Sequence, residues 1–143
     1  MSKVRVLLAD DHAAILALVR AVPSEEFEIV GAVKNGLEAV AEVKRLDPDV
    51  LVIDISIPIL DGLEAASQLR SGRRTKIVFL TVHENEDFVA AAFSSGASAY
   101  VVKSDVTTDL IPAIRDTLEG RIYISKSRSR VRAPISSSAA QKT

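Results

Sequence analysis

Asp54 ends a short apolar run, Val50-Leu51-Val52-Ile53, and three further runs end in the same manner. Val4-Arg5-Val6-Leu7-Leu8-Ala9 leads into Asp10-Asp11, Ile77-Val78-Phe79-Leu80 into Thr81, and Tyr100-Val101-Val102 into Lys103. Each run has strand length and delivers a polar or charged group at its carboxyl end. In an open parallel sheet those ends share one edge, where ligands bind. Three carboxylates, a hydroxyl and an ammonium are therefore expected to meet. Adjacent acids beside a third make a hard oxygen site, and Mg2+ suits one or two carboxylates plus a phosphoryl oxygen. Lys103 supplies a mobile positive charge for the same anion. Thr81 can donate a hydrogen bond to a phosphoryl oxygen. Asp54 is then left as the nucleophile of aspartyl-phosphate chemistry.

The elements that must position these groups follow from periodicity. Strand candidates at 3–9, 27–33, 49–54, 75–81 and 98–102 alternate with segments of helical period at about 12–22, 36–46, 85–95 and 107–119. Pro23 stops the first helix, Gly36, Gly72, Gly96 and Gly120 mark turns or helix ends, and Pro112 falls near the first turn of the last helix. Strands alternating with helices define an α/β fold. The expected architecture is a five-stranded parallel sheet, (βα)5, doubly wound, with the flavodoxin-like order 2-1-3-4-5. Its topological switch point lies between the first and third strands, the two that end in Asp10-Asp11 and Asp54.

Length and composition bound the rest. A chain of 143 residues, 48% hydrophobic and 26% charged, is expected to form one globular domain. The absence of cysteine excludes disulfides and thiolate metal sites. No apolar run is long enough to span a bilayer, and Met1-Ser2-Lys3-Val4 does not read as a secretory signal, so a cytoplasmic location without membrane attachment is expected. The net charge of −1 conceals an asymmetry: residues 1–120 balance at −7, whereas 121–143 carry six basic residues and no acid. The expected division is a folded domain over 1–124 and a basic, Ser-rich, disordered tail over 125–143. Arg121 through Ser125 reads as a last semi-apolar segment able to pack on the domain. The tail has no recognised nucleic-acid motif and no aromatic residue, so direct nucleic-acid binding is not expected.

Leu7 through His12, Asp54 through Gly62, Phe79-Leu80-Thr81 and Gly96 through Lys103 together resemble the receiver domain of two-component response regulators, over about residues 3–120. The Asp-Asp-His start, Lys103-Ser104 and Gly120 through Ser125 further resemble the NarL/FixJ subgroup. The resemblance implies that Asp54 is the phosphoacceptor and that Asp10, Asp11, Asp54 and the backbone carbonyl of Ser56 hold Mg2+. It also implies that Thr81 and Lys103 are the switch hydroxyl and phosphate-pairing lysine, and Tyr100 the aromatic that turns inward. The implied partners are a histidine kinase, a downstream protein or output domain, and a second copy of the chain. Catalysis would be confined to the protein's own phosphorylation and dephosphorylation. Ser104 stands where many receivers carry proline, which weakens the case for a cis peptide there. A receiver half of a longer DNA-binding transcription regulator is the alternative. A phosphohydrolase of the haloacid-dehalogenase type would need a second aspartate where Ser56 stands.

The remaining polar residues read more plainly. Asp61 and Asp105 are turn and cap residues. His12 starts the first helix near solvent, and neither histidine has metal-ligand spacing with another. His83, two residues beyond Thr81, is expected to border the phosphorylation site and tune dephosphorylation.

Overall fold

A computed structural model describes residues 3–22, 25–70 and 73–125. Pro23, Gly72 and the basic tail after Ser125 lie outside the described residues. The strands are β1 (Val4–Ala9), β2 (Phe27–Val33), β3 (Val50–Ile53), β4 (Lys76–Thr81), β5 (Ala99–Val102) and β6 (Tyr123–Ile124). They alternate with helices α1 (Ala13–Ala21), α2 (Gly36–Leu46), α3 (Gly62–Leu69), α4 (Glu86–Ser94) and α5 (Val106–Leu118).

Every neighbouring pair is parallel, and the order is β2-β1-β3-β4-β5-β6. The order expected from sequence is present, with one strand more. The segment read as merely packing on the domain pairs with β5, Ala99 opposite Tyr123 and Tyr100 opposite Ile124. Two residues are too short to show a period of two, which hid the strand from sequence.

The central strands are apolar on both faces because helices cover both. Leu7, Leu51, Ile53, Ile77, Phe79 and Tyr100 point one way, onto Ala39, Val43, Ala66 and Leu69 of α2 and α3 and Ala92 of α4. Val6, Leu8, Val50, Val52, Val78, Leu80 and Val101 point the other way, onto Val19 of α1 and Leu110, Ala113 and Ile114 of α5. Each buried Leu or Ile side chain contributes about 2 kcal/mol. A one-residue slip of any strand would exchange its two sets of partners, so packing fixes the register.

Helix starts are capped where the sequence offers a short polar side chain. Asn35, Asp61 and Asn85 accept from the backbone N–H groups of Glu38, Glu64 and Phe88. Asp105 holds the cap position of α5 without a side-chain capping bond. Pro112 lies inside α5, deeper than the first turn expected for it, and the helix continues through it. Gly96 and Gly120 end helices with φ of 108° and 82°.

At the amino-terminal edge of the sheet, Asp49 ties β1 to β4. Its carboxylate accepts from Arg5 N at 2.8 Å and from Arg74 Nη1 at 2.6 Å. Burial pushes the Asp49 carboxyl up, but the Arg5 backbone N–H and the Arg74 guanidinium outweigh it and hold the group below the usual range. A depressed folded-state value contributes stability that is complete above the unfolded carboxylate range and lost as pH falls through the folded value. The stability gap between wild type and Asp49→Asn, measured by urea unfolding, is expected to be full at neutral pH and to shrink below about pH 4. A gap independent of pH would disprove the clamp.

Ile59, in the loop after β3, has φ +72° and is 76% exposed. A β-branched residue in the left-handed region is strained by about 1–2 kcal/mol. Asparagine tolerates that conformation, so Ile59→Asn is expected to raise the unfolding free energy by about 1 kcal/mol; a lower urea midpoint would contradict it.

Candidate functional site

The ends of β1 and β3 are locked by one further rung of their ladder. Asp54 donates its N–H to the carbonyl of Ala9 at 3.0 Å, while Asp10 N–H reaches Val33 at 3.0 Å. Asp10 and Asp54 thus leave adjacent strands side by side, and both are buried, at 0% and 2% exposure. Lys103 follows β5 and extends its ammonium between them, 2.8 Å from Asp10 Oδ2 and 3.1 Å from Asp54 Oδ2. The contact to Asp54 is a hydrogen bond. The contact to Asp10 Oδ2 is a close, buried ion pair.

His12 starts α1 at its cap position with its side chain 60% exposed, near solvent as expected, and the inner edge of its ring also meets the acids. Its Nδ1 lies 2.9 Å from Asp10 Oδ1, 3.5 Å from Asp11 Oδ1 and 3.1 Å from Lys103 Nζ. Asp10, Asp11, His12 and Asp54 each offer one ligand atom, all within 4.8 Å of one another. The three carboxylates of that set are hard oxygen donors of the kind that fit a divalent cation. The sequence signal for His12 was its position directly after two acids.

On the other flank, Asp54 Oδ1 accepts from Ser56 N at 3.2 Å. Ser56 Oγ pairs with His83 Nε2 at 2.8 Å, and the His83 ring stacks on Phe88, centroids 3.9 Å apart. Thr81 is fully buried, and its Oγ1 accepts from the His83 backbone N–H at 3.2 Å. Tyr100 is also fully buried and donates its hydroxyl to the His83 carbonyl at 2.7 Å. The backbone of His83 therefore receives both Thr81 and Tyr100.

Ser125, at the junction of the segment expected to pack and the expected tail, is fully buried and so belongs to the folded domain. Its Oγ accepts from Val102 N at 2.8 Å, and its own N–H donates to the Tyr100 carbonyl at 2.9 Å. It satisfies the backbone next to Lys103, a role with no sequence signal beyond a small polar residue after Tyr123-Ile124. Elsewhere, a cavity of about 290 Å³ between α1 and α5 is lined by Val6, Val19, Phe27, Leu110 and Ile114 with Arg20 at its margin, and holds no acid or nucleophile.

The loop carrying Pro58 through Gly62 is pinned by close packing. A Cβ on Gly36 would lie 1.7 Å from the Leu60 carbonyl oxygen, and one on Gly62 would lie 2.4 Å from the Asp54 carbonyl oxygen.

A doubly wound parallel sheet with acids at the switch point and a lysine across from them defines a receiver of the kind used in phosphorelay signalling. The chain belongs to the response regulator receiver domain family, whose description matches residues 6–115. It is 42% identical over 111 residues to the transcriptional regulatory protein PdtaR of Mycobacterium tuberculosis, covering 77% of this chain and 54% of that protein. It is 36% identical over 115 residues to the chemotaxis protein CheY of Halobacterium salinarum, covering 80% of this chain and 96% of that one. The chain therefore spans about half of one relative and nearly all of another. Among solved structures, the signal receiver domain of NarL from Mycobacterium tuberculosis superposes with a TM-score of 0.80 at 31% identity, covering 85% of this chain and all of that one.

Because the Gly62 contact is to the backbone of Asp54 itself, Gly62→Ala is expected to lower stability by about 2 kcal/mol through overpacking. Thermal unfolding reads the loss, and an unchanged midpoint would show that the loop yields freely.

Proposed function

We propose that this receiver accepts a phosphoryl group on Asp54, with Mg2+, and that the modification switches the surface formed by β4, β5 and their helices. The supporting observation is the placement of Asp54: buried, between Asp10 and Ser56, with Lys103 on its Oδ2. An Asp54 carboxylate oxygen attacks phosphorus, and the bond from phosphorus to the donor breaks, to imidazole nitrogen for a histidine kinase or to an acyl oxygen for a small phosphodonor. The departing group carries away the electron pair. Asp10, Asp11, Asp54 and the Ser56 carbonyl would hold the Mg2+, which supplies positive charge against the phosphoryl oxygens. Lys103 pairs with the same anion.

Thr81 accepts from His83 N–H and keeps its own hydrogen for a phosphoryl oxygen. Any shift of Thr81 acts on the His83 backbone and, through it, on the inward Tyr100. A histidine kinase writes this state, and a downstream protein, an output domain or a second copy reads it. The only reactions catalysed are the chain's own phosphorylation and dephosphorylation. His83, held by Ser56 and Phe88 beside the site, governs how water reaches the phosphoaspartate. A second reading, the receiver half of a longer transcription regulator, is supported by the partial coverage of PdtaR. The reading frame beyond Thr143 decides it.

Incubation with acetyl phosphate and Mg2+, followed by intact mass, is expected to show one added phosphoryl group that is lost in Asp54→Asn and after chelation. The adduct of His83→Ala is expected to decay at a different rate from wild type, and an equal lifetime would remove His83 from the mechanism. Failure to gain mass together with failure to bind beryllofluoride would instead indicate a phosphorylation-independent binding module.

A further inference from the structure

Helix α1 reads Ala-Ala-Ile-Leu-Ala-Leu-Val-Arg-Ala, with Arg20 as its only charge. A helix apolar on all sides is ordinarily buried, because it presents no polar stripe to water. This one buries only the side that faces the sheet. Its exposed residues are Ala13, Ala14, Ala17, Leu18, Arg20 and Ala21, so five of the six are apolar. Leu18, 43% exposed, is the one large apolar side chain among them. Between the same helix and α5 lies the cavity of about 290 Å³ floored by Val6, Val19, Leu110 and Ile114. It adjoins, at Phe27, a second cavity of about 360 Å³ that reaches the exposed Leu118. An apolar groove therefore runs beside an apolar helix face.

The charges at the margins of the groove indicate what covers it. Glu26 pairs with Arg115 at 2.9 Å, and Glu119 pairs with Arg121. Arg20 and Lys3 on one side of the balance and Glu25 on the other form no hydrogen bond or ion pair among the described residues. A margin with unpaired charges of both signs complements itself under a two-fold axis, which can set Arg20 of one copy against Glu25 of the other. A partner of a single sign would satisfy only some of them. The chain's net charge of −1 does not oppose the approach of two copies. We propose that two copies of this chain associate through this face, α1 against α1 about a two-fold axis. Leu18 of each copy enters the apolar groove of the other, and two reciprocal Arg20–Glu25 ion pairs close the rim. The exposed alanines let the two helices approach to about 8 Å, the short end of helix packing distances. The inference does not rest on phosphorylation of Asp54, since none of these residues belongs to the acid site.

Sedimentation equilibrium of the unphosphorylated full chain, from micromolar to millimolar concentration, tests this and is expected to show monomers in exchange with dimers. Arg20→Glu and Glu25→Arg are each expected to weaken the dimer by about tenfold or more, because each sets like charges against one another twice. An equimolar mixture of the two variants is expected to regain the dimer, since opposite charges then face one another at both ends. The double variant carrying both changes is expected to regain it alone. Leu18→Glu is expected to abolish association, and circular dichroism reports whether each variant is folded. A wild type that stays monomeric throughout overturns the assignment. So does a dimer that survives Leu18→Glu or both charge reversals, or a loss in the single variants that neither mixing nor the double variant restores.

Discussion

Like charges brought together out of water repel, and two carboxylates about 4 Å apart at an effective dielectric near 20 oppose each other by about 4 kcal/mol. The fold places Asp10 and Asp54 in that situation and resolves it with the Lys103 ammonium, itself only 8% exposed. The rest of the architecture serves this balance. Lys103 reaches both acids only because β1, β3, β4 and β5 run parallel and end together, with Ala9 opposite Ile53 and Thr81 opposite Val102. That alignment is held by apolar side chains on both faces of the sheet, far from the charges they position.

Two short polar connections join the charged centre to its surroundings. One passes from Asp54 through Ser56 to the ring of His83, whose backbone takes up Thr81 and Tyr100. The other passes from Val102 to Ser125, so the backbone beside Lys103 is completed by a residue 23 positions later. The second is buried, and loss of the Ser125 hydroxyl strands the Val102 N–H without water to replace it, whereas the first passes through the exposed Ser56.

The sequence was most legible where chemistry and periodicity coincided. Four apolar runs, each ending in a functional group, defined β1, β3, β4 and β5 and predicted the shared edge. The strand order was taken from the flavodoxin-like arrangement of doubly wound sheets, since right-handed crossovers alone allow others. His12 starts the first helix near solvent as expected, but its contact with Asp10 was not legible, because a position along a helix says where the backbone lies and not how the ring turns. Ser125 and β6 were missed because one hydroxyl on one backbone N–H leaves no pattern to detect. Ile59 shows a further limit, since positive φ at a β-branched residue runs against its own preference and is imposed by the packed loop around it.

β6 runs parallel to β5, so the described chain arrives at Ser125 on the same edge as Lys103 and the acids, while Lys3 enters at the opposite edge. The two described ends are separated by about 20 Å along the strand direction and by four strand spacings, about 19 Å, across the sheet. A dye, affinity handle or fused protein joined at the amino end stands clear of the chemistry. The same cargo joined directly after Ser125 begins beside it, which makes that position suited to an environment-sensitive reporter and the amino end to immobilisation.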